Sequence, residues 1–392
     1  MTLRKGIKYF YKTISALVYF CYTYFIPKDN NLWVFGAWKG KSYSDNSRAL
    51  FEYVCLKHPN IKAVWIAKRK DVYNEILETG RPVVLYPSKE ALKMIAHAKV
   101  NVQTESNEDT GKYRVGGSVI IQLFHGFGAA KSAYLYGGMS VLKKYIVKIY
   151  ADNHSRSYWM VPSKIFVNRC VESCEADEKK IFITGQPRTD VILSQKKVRF
   201  FEKIRNKIGD KKLILYVPTH RDYGRGEDRL SNEQWEKLDT QLNDNNCILF
   251  FKPHPLELYK YKRWGDNFNN IYLINQNMGL DDASEYLHYF DLLISDYSSI
   301  VSDFLALNRP IIHLLYDEES FETETFKLDN VNQMLCGPIC KNWDEVINIL
   351  NDCLVVDKYD VIRKEKQNLF FKYIDTNNCE RIYNKIMDIL NK

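Results

Sequence analysis

The sequence predicts an α/β protein of two domains, and three observations carry that expectation. Short apolar runs recur along the whole chain, stretches with helical spacing separate them, and 392 residues exceed what one core organises. A length of this kind suits two domains of about 200 residues or fewer each. Runs that are apolar throughout indicate parallel sheets covered on both faces.

Composition bounds the rest. Apolar residues make 45% and charged residues 27%, an ordinary globular balance that excludes disorder and collagen-like structure. Lys and Arg number 56 against 48 Asp and Glu, so the net charge is +8. This permits an acidic partner, whether nucleic acid, an anionic membrane surface or a phosphorylated substrate, and does not choose among them. Aromatics are high at 14%, with 27 Tyr, which suits surfaces that are apolar on one side and wet on the other. The nine cysteines are scattered and several sit in apolar runs, such as Cys247, which reads as reduced, cytosolic thiol usage. Cys170/Cys174 and Cys336/Cys340 lack the two-residue gap of a zinc site, so no metal is assigned.

Residues 1–28 are basic and aromatic. The apolar run Ile14–Ile26 is too short to span a bilayer, and no small-residue cleavage site follows it. Two readings stand: a helix lying on an anionic surface, or a first helix packed on a domain. Strands are expected at Leu32–Gly36, Ala63–Ala67, Val83–Tyr86, Val100–Gln103 and Val119–Phe124. A helix is expected over Ser47–Lys57, broken by His58-Pro59-Asn60, and another is capped by Ser88 and ends near Ala98. The second half repeats the style with strands at Lys212–Val217, Ile248–Phe251, Ile271–Ile274, Leu292–Ser295 and Ile311–Leu315, and helices at Trp343–Leu350 and near Asn377–Leu390. The break between domains is expected around Gln195–Lys211. This gives a surface segment at 1–28, a first domain at 29–195, a second at 196–370 and a C-terminal helix at 371–392. Two such domains facing each other would leave a cleft at the carboxyl ends of their strands, where ligands of open α/β sheets bind.

The polar motifs stand at those strand ends. Gly36-Ala37-Trp38-Lys39-Gly40-Lys41-Ser42 is one residue short of a phosphate loop. His125-Gly126-Phe127-Gly128, with Lys131 beyond, places a neutral-range base after an apolar strand, beside glycines that let backbone N–H groups approach an oxyanion. Tyr216-Val217-Pro218-Thr219-His220-Arg221 and Lys252-Pro253-His254-Pro255 supply cations and a stiffened histidine that together suit a diphosphate. In the segment 291–303, Ser298 and Ser299 open a helix whose free N–H groups make an anion site, with Asp296 or Ser298 available as a cap. Gly185-Gln186-Pro187-Arg188-Thr189-Asp190 is a turn carrying a cation and an acid, with salt bridging as its plain explanation. Residues 139–150 mix Lys143, Lys144 and Lys148 with apolar residues, as a second lipid contact or a buried helix with a charged back. Nucleic-acid binding would rest on charge alone and is not assigned.

In order and spacing these elements resemble the CDP-glycerol glycerophosphotransferases that build wall teichoic acids and related capsules. The resemblance runs from Trp33 and Ser44-Asp45-Asn46 to Gly337-Pro338. It includes His125-Gly126 with Lys131, Gly185 with Pro187, Arg188 and Asp190, Leu215–Thr219 with Arg221, His254-Pro255, and Ser295–Ser299 with Asp303, Pro310 and Tyr316-Asp317. It implies two Rossmann-like domains in a GT-B-like arrangement, the second holding a CDP-alcohol and the first facing a polyprenyl-diphosphate-linked acceptor. An acceptor hydroxyl would attack the phosphorus next to the glycerol or ribitol moiety, and CMP would leave. His125 is the expected general base, Asp45 the group that orients it or a helix cap, and His254 a second catalytic candidate. Thr219, Arg221, Lys252, His254, Ser298, Ser299, Asp303 and Arg188 are the expected donor-binding residues. No cofactor is assigned, with Mg²⁺ accompanying the diphosphate left open. The expected partners are CDP-glycerol or CDP-ribitol, the lipid-linked acceptor and an anionic membrane surface, which places the chain peripherally on the cytoplasmic face of a bacterial membrane. A glycosyltransferase using a nucleotide sugar, and a silent lipid- or polymer-binding protein, are the competing expectations.

Overall fold

A computed structural model describes residues 3–126, 140, 141, 145, 155–219, 230–254, 268–275, 278–317 and 331–391. Contacts divide them into two compact units. The first holds residues 3–125, 140, 141, 145, 155–190 and 375–391, and the second holds Gly126 and the described residues of 191–374.

The first unit is built on β1 (Asp29–Phe35), β2 (Lys62–Ala67), β3 (Val83–Leu85), β4 (Ala98–Gln103), β5 (Val119–Gln122), β6 (Tyr158–Val161) and β7 (Ile181–Ile183). They form one parallel sheet in the order β3-β2-β1-β4-β5-β6-β7. Trp33, Val34 and Phe35 are all fully buried, so successive side chains on opposite faces of β1 are both covered. That is the physical reason the strand reads as a continuous apolar run.

Two terminal helices pack on this unit. Helix Leu3–Tyr24 docks through Ala16 and Thr23, which are buried. Thr23 Oγ1 accepts from the Gly116 amide at 2.8 Å, and a Cβ at Gly116 would lie 2.4 Å from the Phe20 carbonyl oxygen, so glycine is required for the close approach. The opposite face of the helix carries Phe10, Tyr11, Ile14, Leu17, Val18 and Tyr22, all exposed. The helix is therefore both packed and apolar outward. No helix among the described residues is long and apolar enough to cross a membrane. At the other end of the chain, Asp190 receives the start of helix Asn378–Leu390: its carboxylate accepts from the Asn378 and Cys379 amides at 3.0 and 2.7 Å. Gly185, at φ 83°, makes room for the Asn378 side chain. Tyr383 then stacks on His58 at 3.4 Å and packs against Trp33 at 5.6 Å.

The second unit repeats the plan with β8 (Lys212–Val217), β9 (Cys247–Phe251), β10 (Ile271–Leu273), β11 (Leu292–Ser295), β12 (Ile311–Leu314) and β13 (Ile339–Cys340). Their order is β10-β9-β8-β11-β12-β13, again all parallel. The strands and the helices Asn232–Asp244 and Trp343–Val355 enclose a core that includes Ile214, Trp235, Leu249, Ile294 and Trp343. Gly337 lies so close to β12 that a Cβ would stand 1.7 Å from the Ile311 carbonyl oxygen, which gives Gly337-Pro338 a packing role.

The expected strands are therefore present, two Rossmann-like parallel sheets among them. Sequence reading did not pick out β6, β7 and β13, which are four, three and two residues long. Pieces that short carry too little pattern to separate from a loop. The stretch 139–150 lies outside the described residues except for 140, 141 and 145.

Candidate active site

In each sheet the strand order reverses beside the first strand, at β1/β4 and at β8/β11, and ligands of open α/β sheets bind at the carboxyl ends there. Each unit carries a polar cluster at that place.

In the first unit the loop after β1 leads into helix Asp45–Lys57. Asp45 is held at φ 68°, and its carboxylate accepts from the Asn46 amide at 2.7 Å. Asn46 is fully buried and ties two distant segments together. Its Nδ2 donates to the Phe124 carbonyl at 2.8 Å, and its Oδ1 accepts from the Arg188 amide at 3.0 Å. The Arg188 guanidinium donates through Nη1 to Asp45 Oδ1 at 3.3 Å and to the His125 carbonyl at 2.6 Å. Asp45 and Arg188 are 8% and 6% exposed, so this is a buried ion pair whose members depend on each other. Phe124 turns the chain at φ 56° just past β5, and its amide donates to Gln122 Oε1 at 3.1 Å. The imidazole of His125, half-buried, contacts the rings of Phe124 at 4.4 Å and Trp38 at 5.0 Å.

A second buried carboxylate fixes the neighbouring loops. Asp109 accepts from the Lys39 amide at 2.7 Å, and from the Thr104 and Glu105 amides at 2.8 and 2.7 Å. Burial pushes its carboxyl up to about 6, against the downward pull of those amides. The segment 36–42 is thus no phosphate loop, because the Lys39 amide that would face a phosphate is occupied by this carboxylate. Lys39 itself pairs with Glu105 at 3.0 Å.

In the second unit Asp296, at the end of β11, crosses to Thr219, at the end of β8. Its carboxylate accepts from the Thr219 amide at 3.0 Å and from Thr219 Oγ1 at 2.6 Å. Ser295 Oγ donates to the Val217 carbonyl at 2.6 Å, a second tie across the same pair of strands. Ser298 Oγ accepts from the Ile300 amide at 3.4 Å at the start of helix Ile300–Leu305. Ser299 precedes that helix directly, and Asp303 lies within it, half-buried. Lys252 Nζ donates to the Leu280 carbonyl at 3.1 Å, and burial lowers its affinity for a proton. His254 follows β9 by three residues and is half-buried.

The structure thus brings His125, Asp45 and Arg188 together in one network, and gathers Thr219, Ser298, Ser299 and Asp303 near the β8/β11 reversal. Arg221, Lys131, Phe127, Gly128 and Pro255 lie outside the described residues. Among the described residues no cluster of three or more His, Cys, Asp or Glu side chains is placed to hold a metal ion. Sequence reasoning gave Asn46 no role beyond its place in the resemblance, and it missed Asp109 and the crossing of Asp296 to Thr219. For Asp109 a signal existed: Ser106 and Asp109 have capping-box spacing and form that box here.

The comparisons with known proteins agree with this architecture. The family model of CDP-glycerol:poly(glycerophosphate) glycerophosphotransferase matches residues 18–388. A teichoic acid glycerol-phosphate transferase of Staphylococcus aureus is 26% identical over 339 residues, covering 82% of this chain and 84% of the relative. A teichoic acid poly(ribitol-phosphate) polymerase of Bacillus spizizenii is 28% identical over 288 residues, covering 68% of this chain and 43% of that longer protein. The structure of the wall teichoic acid polymerase TagF shares the fold, with a TM-score of 0.74 and 22% identity over 99% of this chain and 97% of the other. A family match that runs nearly the length of the chain, onto two parallel sheets with their polar groups at the strand reversals, leads to one conclusion: the chain belongs to the CDP-glycerol:poly(glycerophosphate) glycerophosphotransferase family of transferases.

Proposed function

We propose that the chain transfers an alditol phosphate, glycerol phosphate first among them, from a CDP-alcohol to a hydroxyl of a polyprenyl-diphosphate-linked acceptor. The observation that carries this reading is the mounting of His125. Its backbone carbonyl is gripped by Arg188, and the preceding carbonyl by Asn46, while its ring stands at a strand end against Phe124 and Trp38. Such a histidine is a base held in place rather than a packing residue.

In the proposed reaction the His125 imidazole takes the proton of the acceptor hydroxyl. The oxygen forms a bond to the phosphorus that bears the alditol, the P–O bond to CMP breaks, and the electron pair leaves with CMP. Thr219, Arg221, Lys252, His254, Ser298 and Ser299 bind and steady the donor diphosphate, and Asp303 orients part of the donor site. Arg188 and Asp45 act by holding His125. Activity in excess EDTA reads whether Mg²⁺ accompanies the diphosphate.

The outward apolar face of helix Leu3–Tyr24, in a segment whose sequence also carries Arg4, Lys5, Lys8 and Lys12, supports peripheral attachment to the cytoplasmic face of an anionic membrane. Replacing Phe10, Tyr11 and Val18 with serine should abolish co-flotation with anionic vesicles. Unchanged flotation would remove this helix from the account.

The deciding experiment offers CDP-glycerol, CDP-ribitol and nucleotide sugars with a synthetic lipid-linked acceptor and reads products by mass spectrometry. The expected outcome is CMP plus an acceptor heavier by one glycerol phosphate, lost in His125→Asn. Transfer of a sugar would replace this reading with a glycosyltransferase, and full turnover by His125→Asn would remove the base.

A further inference from the structure

The loop after β1 is built in a way that packing alone does not require. Trp38, Lys39 and Gly40 are three consecutive left-handed residues, at φ 50°, 59° and 73°. For the two that carry a Cβ this conformation costs about 1–2 kcal/mol each. Several fixed contacts impose it. The Asp109 carboxylate takes the Lys39 amide, the Lys68 amide donates to the Gly40 carbonyl at 2.7 Å, and the Lys41 amide closes on the Trp38 carbonyl at 3.1 Å. Gly36 lies against the Asp109 backbone so closely that a Cβ would stand 2.2 Å from its carbonyl oxygen. Strain that the surroundings over-determine is characteristic of functional positions.

What this anchoring achieves is the presentation of one indole. Trp33, Trp65, Trp159, Trp235 and Trp343 are buried, whereas Trp38 is 40% exposed, with its ring against His125. Its indole N–H donates to no side chain or carbonyl among the described residues. A π-face with an unused N–H donor, beside a base, suits an uncharged polyhydroxyl group, whose C–H edges lie on the ring and whose oxygens accept from the N–H.

We infer that Trp38 is a specificity-determining residue that touches the acceptor, its indole forming the wall on which the hydroxyl-bearing carbohydrate or polyol unit lies while His125 faces the reacting hydroxyl. The inference rests on the alditol phosphate transfer proposed above.

The test uses the full chain with CDP-glycerol and the synthetic lipid-linked acceptor, comparing wild type with Trp38→Phe and Trp38→Ala. Trp38→Ala should lower kcat/KM for the acceptor about tenfold or more, leave the donor KM within about twofold, and be largely rescued in Trp38→Phe, which keeps a ring. In parallel, the acceptor alone, without donor, should shift tryptophan emission in the wild type and not in Trp38→Phe. A loss confined to the donor KM, an unchanged kcat/KM for the acceptor, or an emission shift that survives in Trp38→Phe would each overturn the inference. If Trp38→Ala fails to fold, Trp38→Leu and the emission titration of Trp38→Phe decide in its place. Failure of the wild type to release CMP from any CDP-alcohol would instead sink the proposed reaction, and the emission titration would still report on Trp38 separately.

Discussion

Replacing Asn46 with alanine removes one amide and strands two buried groups. The Phe124 carbonyl loses its donor at 2.8 Å, and the Arg188 amide loses its acceptor at 3.0 Å. A buried backbone group left without a partner costs about 1–3 kcal/mol, so the two together give an expected destabilisation of about 2–6 kcal/mol, with water entry into the new space favouring the lower half. The chemical effect should be disproportionate. Phe124 is held at φ 56° next to His125, and Arg188 loses the anchor of its backbone while it grips the His125 carbonyl. A displacement of about 1 Å at a base costs about a hundredfold in rate. Urea unfolding followed by far-UV circular dichroism gives the stability change, and CMP release at saturating substrates gives kcat. Asn46→Asp keeps an acceptor for the Arg188 amide but sets a buried carboxylate against the Phe124 carbonyl and beside Asp45, so it should be at least as destabilised and as slow as Asn46→Ala. An Asn46→Ala protein within about 0.5 kcal/mol of wild type, turning over at an unchanged rate, would refute the claim that this amide holds the histidine in place.

Three further expectations follow from contacts described above. Gly185→Ala places a methyl group 1.7 Å from Asn378 Oδ1 at a φ of 83°, and should cost about 3 kcal/mol or more. Hydrogen exchange across helix Asn378–Leu390 should accelerate, and unchanged protection there would count against the docking described. Thr219→Val deletes the 2.6 Å hydroxyl contact to Asp296 while the amide contact remains, for a loss of about 1–2 kcal/mol and a raised donor KM, both readable from denaturation and initial rates. Asp109 gives a pH dependence whose sign is fixed by its carboxyl being raised from 3.8 to about 6. Its favourable contribution is fully present below pH 4 and is lost as pH rises through 6. The stability of wild type relative to Asp109→Asn should therefore decline by about 3 kcal/mol between pH 4 and 7, and a flat or rising difference would contradict the burial argument.

The parts of this protein legible in its sequence are those whose cause is local. A strand covered on both faces must be apolar throughout, so β1, β8, β9 and β11 announce themselves. Ser88 accepts from the Ala91 amide three residues on, a cap that spacing alone reveals. The motif Gly185 to Asp190 shows the limit. Its residues are contiguous, yet Gly185 and Asp190 receive a helix that begins at Asn378, while Arg188 reaches back to Asp45 and His125. A one-dimensional pattern records that these residues matter together and is silent on which distant partner each one meets. Asn46 was hidden for the same reason. A buried asparagine at a helix start looks like any capping residue until the two chains it joins are in place.

The seat of helix Asn378–Leu390 on the first unit has a consequence for biosynthesis. The ribosome delivers the strands of that unit early, but the piece whose Tyr383 covers Trp33 and His58 and that satisfies Asp190 emerges only after the whole of the second unit has been made. At usual elongation speeds that gap of roughly 185 residues lasts about 10–40 s. During that interval the nascent first unit exposes an unfinished apolar seam, an obvious landing place for a chaperone.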